Sequence, residues 1–539
     1  MSKKLTVTYL ILFFCTAVIC AQGADQLECR IVDSENKYPV SFATVQFKGE
    51  ANGLVANAEG SFRLPAMFKQ KNKQIIISSI GYETQIIEVN TFSYKAINII
   101  YLKPKIENLD AVFITSGKTN QITKESSLTI INKAISKIPL NYPNQPHAYM
   151  GYYRDYQIVN GQYYNLNEGI LEDFDSGFQT NKIKYKDNQT VLYSYSQNNN
   201  FNQDTLLLNS IYGKSKVLDA FGDAKLETDI RNELEILNIH NPIRNYNKSS
   251  FSFIYVLKDD FINNHDFMIP KGIFLDDILL YEIEFKTKED IQSKFKAKGK
   301  IYVSKSNYAI YKLDYRVYEN ENYIVNRKRK MSFGSNEQAD NESNTLFKIN
   351  IEYKEVAGKM YLNYMTFNNR FIIKEPNPFK EETFDLDSDT NAFYFTFNKP
   401  VDESSIKRKS RFKLYFRTNK LIIRNIKLID EKTIKVSVLD WAAGTKTEIA
   451  DTKPEDFTYK LKRIKDISGM TIYKASKLLG FQFREFFTQE IFENKSLPQD
   501  VIFVNKTLPL YSSKLNSKNF DANKYWVNSP LQQTEEVKR

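Results

Sequence analysis

Catalysis needs particular side chains held close together, and the histidines of this chain fail that requirement first. There are three, His147, His240 and His265. A zinc peptidase presents two ligands from one short motif such as H-x-x-E or H-E-x-x-H. Here the residues three positions further on are Met150, Ile243 and Met268. No G-x-S-x-G turn occurs, and Gly213-Lys214-Ser215 has Leu208 where a phosphate-cradling loop needs a glycine. The adjacent acids Glu172-Asp173 and Asp276-Asp277 are the pairs on offer for glycosidase chemistry, although such neighbours read first as a solvated face. Asp385, Asp387 and Asp389 alternate as calcium ligands do, yet Thr390 stands at the turn glycine and Thr396 at the bidentate glutamate. The remaining cluster is cationic: Lys407, Arg408, Lys409 and Arg411 read as a solvated loop or as a contact for an anionic partner. No catalytic residue, metal site or cofactor is expected, and those four cations are the one candidate binding site.

The elements that would position such residues are mostly strands. The 539 residues are 42% hydrophobic and 14% aromatic, enough for several packed cores and too much for global disorder. At about 150 residues per domain the length suits three or four domains. Tyrosine and phenylalanine outweigh what a helical chain would carry, which favours β structure. Lys3 and Lys4 precede the apolar run Leu10 to Ile19, which has the form of a signal peptide over 1–23 and is short for a bilayer span. Ile19 before Cys20 argues against lipid attachment, and removal of the signal leaves Cys29 alone, so no internal disulfide is expected. Export to the periplasm or the outer membrane takes nucleic acid off the list of partners for a chain of net charge +11. An envelope protein, a polysaccharide or a lipid remains. After the signal no stretch is apolar enough to span a membrane.

Over residues 24–103 the strands are short and alternate. Ala43, Val45 and Phe47 face one way against Thr44, Gln46 and Lys48, and Asn57-Ala58-Glu59-Gly60-Ser61-Phe62 puts a glycine where a hairpin needs positive φ. Arg30-Ile31-Val32-Asp33, Tyr38-Pro39-Val40-Ser41-Phe42-Ala43-Thr44-Val45, the Asn57 to Phe62 turn and Ser78-Ser79-Ile80-Gly81-Tyr82-Glu83 resemble the carboxypeptidase regulatory-like domain of Bacteroidetes envelope proteins. Ala56 departs from that family's usual threonine. The resemblance covers about a seventh of the chain and implies a Greek-key β-sandwich that serves as an accessory module without an active site.

Residues 104–148 read as a linker and an amphipathic helix, capped by Ser127, with Leu128, Ile131, Ala134, Ile135 and Ile138 on one face and Pro139 at its end. That helix with Gly151-Tyr152-Tyr153-Arg154-Asp155 resembles the corresponding segment of flavobacterial envelope proteins. From 149 to 384 a large antiparallel β-domain is expected, interrupted by a polar stretch over Tyr185 to Asp204 and a helix over Ala224 to Leu237. Its clearest hairpins join Lys300-Val303 to Tyr308-Val317 and Ile351-Tyr353 to Met360-Tyr364. The hairpin series resembles the half-barrel of periplasmic lipoprotein carriers, which implies a concave face for acyl chains. The alternating Tyr281, Ile283 and Phe285, then Tyr311, Leu313, Tyr315 and Val317, must be covered by ligand or by protein. From 385 to 475, Phe393, Phe395 and Phe397 open and Ile464 to Gly469 close a segment that resembles the Ig-like domain of bacterial surface-layer proteins. A helix over Phe483 to Phe492 and a loop-rich tail with Trp526 complete 476–539.

The expectation is therefore a mainly β, non-enzymatic envelope protein that binds or scaffolds. Its rivals are a carrier of an apolar ligand on the central sheet and a polysaccharide hydrolase working through Glu172 and Asp173.

Overall fold

The computed structural model describes residues 26–107, 125–204, 207, 232–247, 257, 261–291, 295–320, 345–374, 378–439, 454–467, 469–474, 477–516, 520–521 and 524–531. The expected signal segment 1–23, Gly213-Lys214-Ser215 and residues 224–231 of the expected second helix lie outside them. The chain divides into two compact units, Met1–Phe371 with Gly480–Arg539, and Ile372–Leu479. It is mainly β.

In the first unit, β1 (Gln26–Asp33), β2 (Thr44–Phe47), β3 (Gly53–Val55), β4 (Ser61–Pro65), the short helix α1 (Met67–Gln70), β5 (Gln74–Ser78), β6 (Gln85–Glu88) and β7 (Asn98–Leu102) come first. They form two sheets, β4-β1-β7 and β3-β2-β5-β6, with β1 parallel to β7 and antiparallel to β4. The alternation seen in the sequence puts Val45, Phe47, Phe62, Leu64, Ile75 and Ile77 into one core. Gly60 adopts φ +68, and a Cβ there would meet the Ile31 carbonyl oxygen at 2.4 Å, so the hairpin tolerates only glycine. Cys29 is fully buried in β1, where burial pushes its thiol pKa up.

A 12-stranded sheet follows, built of β8 (Ile106–Glu107), β9 (His147–Val159), β10 (Gln162–Asp175), β11 (Thr190–Gln197), β12 (His265–Phe267), β13 (Lys271–Leu275), β14 (Ile278–Thr287), β15 (Phe295–Ser304), β16 (Ile310–Glu319), β17 (Thr345–Val356), β18 (Lys359–Lys374) and β26 (Lys477–Phe492). Its order is β11-β10-β9-β26-β18-β17-β16-β15-β14-β13-β8, with β12 beside β14. Two meanders, β9 to β11 and β13 to β18, are thus joined by a strand from near the C-terminus.

Helix α2 (Ser127–Asn141) lays Ile130, Ile131, Ala134, Ile135 and Ile138 on the inner face of this sheet, in one cluster with Ile283, Phe285, Leu313, Tyr315 and Val317. Burial of each of these isoleucines contributes ~1.5–3 kcal/mol. The cap is Ser126, whose hydroxyl accepts from the Thr129 N–H at 3.2 Å, in place of the expected Ser127. Pro139 lies inside the last turn and does not end it; the helix runs to Asn141, because a single lost N–H so near the end breaks little. Helix α3 (Glu233–Ile239), capped by Asn232, adds Leu234, Ile236 and Leu237 to the same cluster.

Two further expectations are corrected. Within the polar stretch, Thr190–Gln197 is β11, whose Val191, Tyr193 and Tyr195 alternate with Leu192 and Ser194. Phe483 to Phe492 is no helix but most of β26, paired antiparallel with β9 from Gly480↔Val159 to Phe492↔Ala148. Both faces of β26 are buried, which erases the alternation that marks a half-exposed strand. The tail then crosses the outer face, where Tyr525 joins Met150, Tyr152 and Phe487.

The second unit contains β19 (Glu381–Asp387), β20 (Ala392–Phe397), helix α4 (Glu403–Ile406), β21 (Phe412–Phe416), β22 (Asn419–Lys420), β23 (Ile423–Leu428), β24 (Thr433–Val438) and β25 (Phe457–Leu461). Its sheets β19-β20-β24-β23 and β22-β21-β25 close on Phe393, Phe395, Phe397, Phe412, Ile434 and Val436.

Candidate functional site

In the second unit the basic residues are gathered by strand register. β21 pairs with β25 through Phe412↔Leu461, so the chain entering β21 lies beside the chain leaving β25. The Lys462 N–H donates to the Arg411 carbonyl at 2.8 Å. Asp402 caps α4 by accepting from the Ser404 N–H at 2.9 Å, and Ser405 on that helix accepts from the Lys465 N–H at 2.9 Å. The Arg411 guanidinium donates to the carbonyls of Ser405 and, at 3.0 Å, Arg463. Arg463 itself sits at φ 55, in the left-handed region, where the chain turns sharply.

The outcome is a cleft of about 490 Å³ lined by Arg411, Leu461, Lys462, Arg463, Lys465, Thr471, Ile472 and Lys474. Five of these eight are cations and none is an acid. Of the four residues singled out in the sequence, Arg411 lines the cleft and braces it. Lys407, Arg408 and Lys409 are exposed on the connection before β21 and do not line it. Lys462, Arg463, Lys465 and Lys474 were missed; the run Lys460-Leu461-Lys462-Arg463-Ile464-Lys465, four cations in six residues, was the available signal.

The acidic candidates are placed otherwise. Glu172 and Asp173 are consecutive in β10, so their side chains leave opposite faces and cannot flank one bond. Neither is the solvated pair expected. Glu172 is buried, accepting from Lys495 Nζ and, at 2.8 Å, from Tyr193 OH. Asp173 accepts from Lys182 Nζ at 2.7 Å and Thr190 Oγ1 at 3.0 Å. Next to them burial pushes the Asp175 carboxyl up, but Arg244, at 2.8 Å, and Lys182 hold it well below the usual carboxylate range. Asp276 and Asp277 form the turn between β13 and β14. Asp387 accepts from the N–H groups of Asp389 and Thr390, both at 3.1 Å, and so closes the turn after β19.

The three histidines are buried, each against different rings: His147 against Tyr149 and Tyr361, His240 against Phe347 and Phe367, His265 against Phe261 and Phe285. His240 stacks on Phe367 at 3.9 Å between ring centroids, its two ring nitrogens have no hydrogen-bond partner among the described residues, and burial with Arg484 nearby pushes its pKa down to about 3. Burial likewise pushes His265 down to about 4 and lowers His147. Among the described residues no group of three or more His, Cys, Asp or Glu side chains is arranged to hold a metal ion.

The sandwich of β1 to β7 carries none of these candidate residues. Residues 28–114 match the CarboxypepD_reg-like domain. That domain is non-catalytic, and its name gives this chain no peptidase. No curated protein matches the chain. Two solved structures are similar over 46% of it: a DUF1329 family protein from Desulfovibrio piger, 12% identical over 87% of that chain with a TM-score of 0.20, and a LolA superfamily protein from Nitrosomonas europaea, 10% identical over 86% of that chain with a TM-score of 0.17. Likeness at such scores says nothing of what this chain binds.

Proposed function

We propose that this chain is an exported, non-catalytic protein of the cell envelope, in which a CarboxypepD_reg-like domain and an Ig-like unit over 385–475 accompany a closed central β-domain, and in which the Ig-like unit binds an anionic envelope polymer. The observation that carries the reading is the cleft lined by Arg411, Lys462, Arg463, Lys465 and Lys474, with no acidic side chain among its described lining residues. Five cations around one depression raise the local concentration of anions and speed their capture. The carrier reading is weakened because α2 and α3 cover Ile283, Phe285, Leu313, Tyr315 and Val317, the face an acyl chain would need. The hydrolase reading is weakened because Glu172 and Asp173 are held in separate ion pairs.

Titration of the purified chain with lipopolysaccharide tests this. Combined Lys462→Gln, Arg463→Gln and Lys465→Gln substitutions should weaken binding by about tenfold or more, equivalent to ~1.4 kcal/mol. Unchanged affinity would remove the cleft from the account. Stoichiometric lipid in native mass spectra of the gently extracted protein would restore the carrier.

A further inference from the structure

Strand β7, at the edge of the CarboxypepD_reg-like domain, differs from the other sheet edges among the described residues. Unpaired N–H and C=O groups along an edge invite another strand, and proteins blunt such edges with charge, proline or cover. β4 carries Arg63 and Pro65, β6 ends on Glu88, β19 is acidic, β23 carries Arg424 and Lys427, and β25 carries Lys460. β11 is covered by the tail, whose Val504 and Asn516 N–H groups donate to the Thr190 and Leu192 carbonyls, both at 2.8 Å. β3, β8, β12 and β22 are very short. β7 has none of these devices. Asn98-Ile99-Ile100-Tyr101-Leu102 contains no charge and no proline, and among the described residues β1 is its only partner strand.

The hydrogen bonds show which of its groups are open. The Ser34 N–H, just past β1, donates to the Leu102 carbonyl at 2.8 Å, so Leu102 and, by alternation, Ile100 and Asn98 aim their backbone groups at β1. Ile99 and Tyr101 aim theirs outward. Among the described residues the Ile99 N–H and C=O and the Tyr101 N–H have no partner on that side. The Tyr101 carbonyl accepts from Gln85 Nε2 at 2.7 Å, an exposed side-chain bond. Beyond the strand the Glu83 N–H donates to the Lys103 carbonyl at 2.8 Å and closes the edge. The outward residues are apolar too: Ile99 is 45% and Tyr101 49% exposed, with the Lys37 ammonium 4.6 Å from the centre of the Tyr101 ring.

We propose that β7 is a dimerisation edge, pairing antiparallel with β7 of a second copy about a two-fold axis at Ile100. In that register Ile99 faces Tyr101 of the second copy and exchanges both backbone hydrogen bonds with it, the incoming N–H displacing Gln85. The same pairing covers the exposed side chains, a β-branched residue against an aromatic, which is a favourable cross-strand combination. A two-fold brings any charge in the strand close to its own copy, so an uncharged strand suits self-pairing. Alternating backbone donors and acceptors call for a polypeptide strand, which neither a polysaccharide nor a lipid supplies. The contact is small, so the dimer is weak and depends on concentration.

The test is sedimentation velocity of the full mature chain between about 1 and 500 μM, where the wild type should pass reversibly from monomer to dimer. Ile99→Lys should raise the dissociation constant by about tenfold or more. Ile502→Lys, at an exposed apolar position of the tail, should leave it unchanged. A cooperative melt like that of the wild type shows that each variant is folded. Crosslinking decides the matter if Ile99→Lys folds poorly. Ile99→Cys and Tyr101→Cys chains, distinguished by mass and mixed under mild oxidation, should join each other in preference to themselves. Opposed Cα atoms lie about 5.5 Å apart in this register, whereas the two copies of either position lie about 8 Å apart, beyond disulfide reach. The native Cys29 is fully buried and does not compete. A wild type that stays monomeric throughout the range, dimers that persist in folded Ile99→Lys, equal weakening by Ile502→Lys, or crosslinks within each variant as abundant as those between them would each overturn the proposal.

Discussion

Asp155 of β9 stands opposite Arg484 of β26 on the inner face of the sheet, yet its carboxylate is held by Asn167 Nδ2 at 3.0 Å and Tyr195 OH at 2.9 Å. Burial, and then the nearby Glu233, push its pKa up to about 7. Burial does the same to Glu235, also to about 7. A carboxyl whose native pKa exceeds its unfolded value binds more protons in the folded chain. Its stabilising contribution is complete below the unfolded value near 4 and is lost as pH rises through about 7. His240 works in the opposite sense: pushed down to about 3, it contributes stability above its unfolded value of 6.5 that is lost as pH falls through 3. Asp155→Asn should therefore remove up to ~1.4 kcal/mol per pH unit of the decline between about pH 4 and 7, read from urea midpoints across that range. Parallel curves for variant and wild type would show that Asp155 does not titrate there.

At the scale of elements, β26 and the tail behind it do the joining. The Arg154 and Glu485 side chains, each 1% exposed, pair at 2.5 Å on the outer face, and Arg154 Nη1 donates to the Asn528 carbonyl at 3.2 Å. Asn528 also accepts from the Arg63 N–H at 2.9 Å and donates to the Val55 carbonyl at 3.0 Å, so the tail ties the CarboxypepD_reg-like domain to β9. Trp526 enters that domain's core, 5.2 Å from the Phe47 ring and 5.4 Å from that of Phe68. Trp526→Ala should cost ~3–5 kcal/mol in denaturant unfolding. A loss below ~1 kcal/mol would mean that the tail rests on the sandwich without holding it.

At the scale of the whole molecule, the unit Ile372–Leu479 is an insertion between β18 and β26, which are neighbours in the sheet. Its core residues, Phe379 to Ile472, all belong to it. Replacing residues 375–476 by a short Gly/Ser link should leave the first unit folded, with near-ultraviolet dichroism and a cooperative melt retained, since a unit with a core of its own can fold by itself. The excised unit should also melt cooperatively. Loss of cooperativity in the first unit would show that the insertion is part of its fold.

The strand pattern of the CarboxypepD_reg-like domain, the hairpins β15-β16 and β17-β18 and the apolar face of α2 were legible because each has one face in a core, and a half-buried element writes its period into the sequence. Arg30-Ile31-Val32-Asp33 and the Gly60 turn were read for the same local reason. What stayed hidden depends on partners distant in the chain. β26 is covered on both faces, so Phe483 to Phe492 carries no alternation and passed for a helix; pairing with β9, more than three hundred residues earlier, decides it. Glu172 and Asp173 read as solvated because Lys495 and Lys182 come to them only in the folded chain. The cation cluster Lys407 to Arg411 was visible as composition, but the Phe412↔Leu461 register is what sets Arg411 beside Lys462 and Arg463.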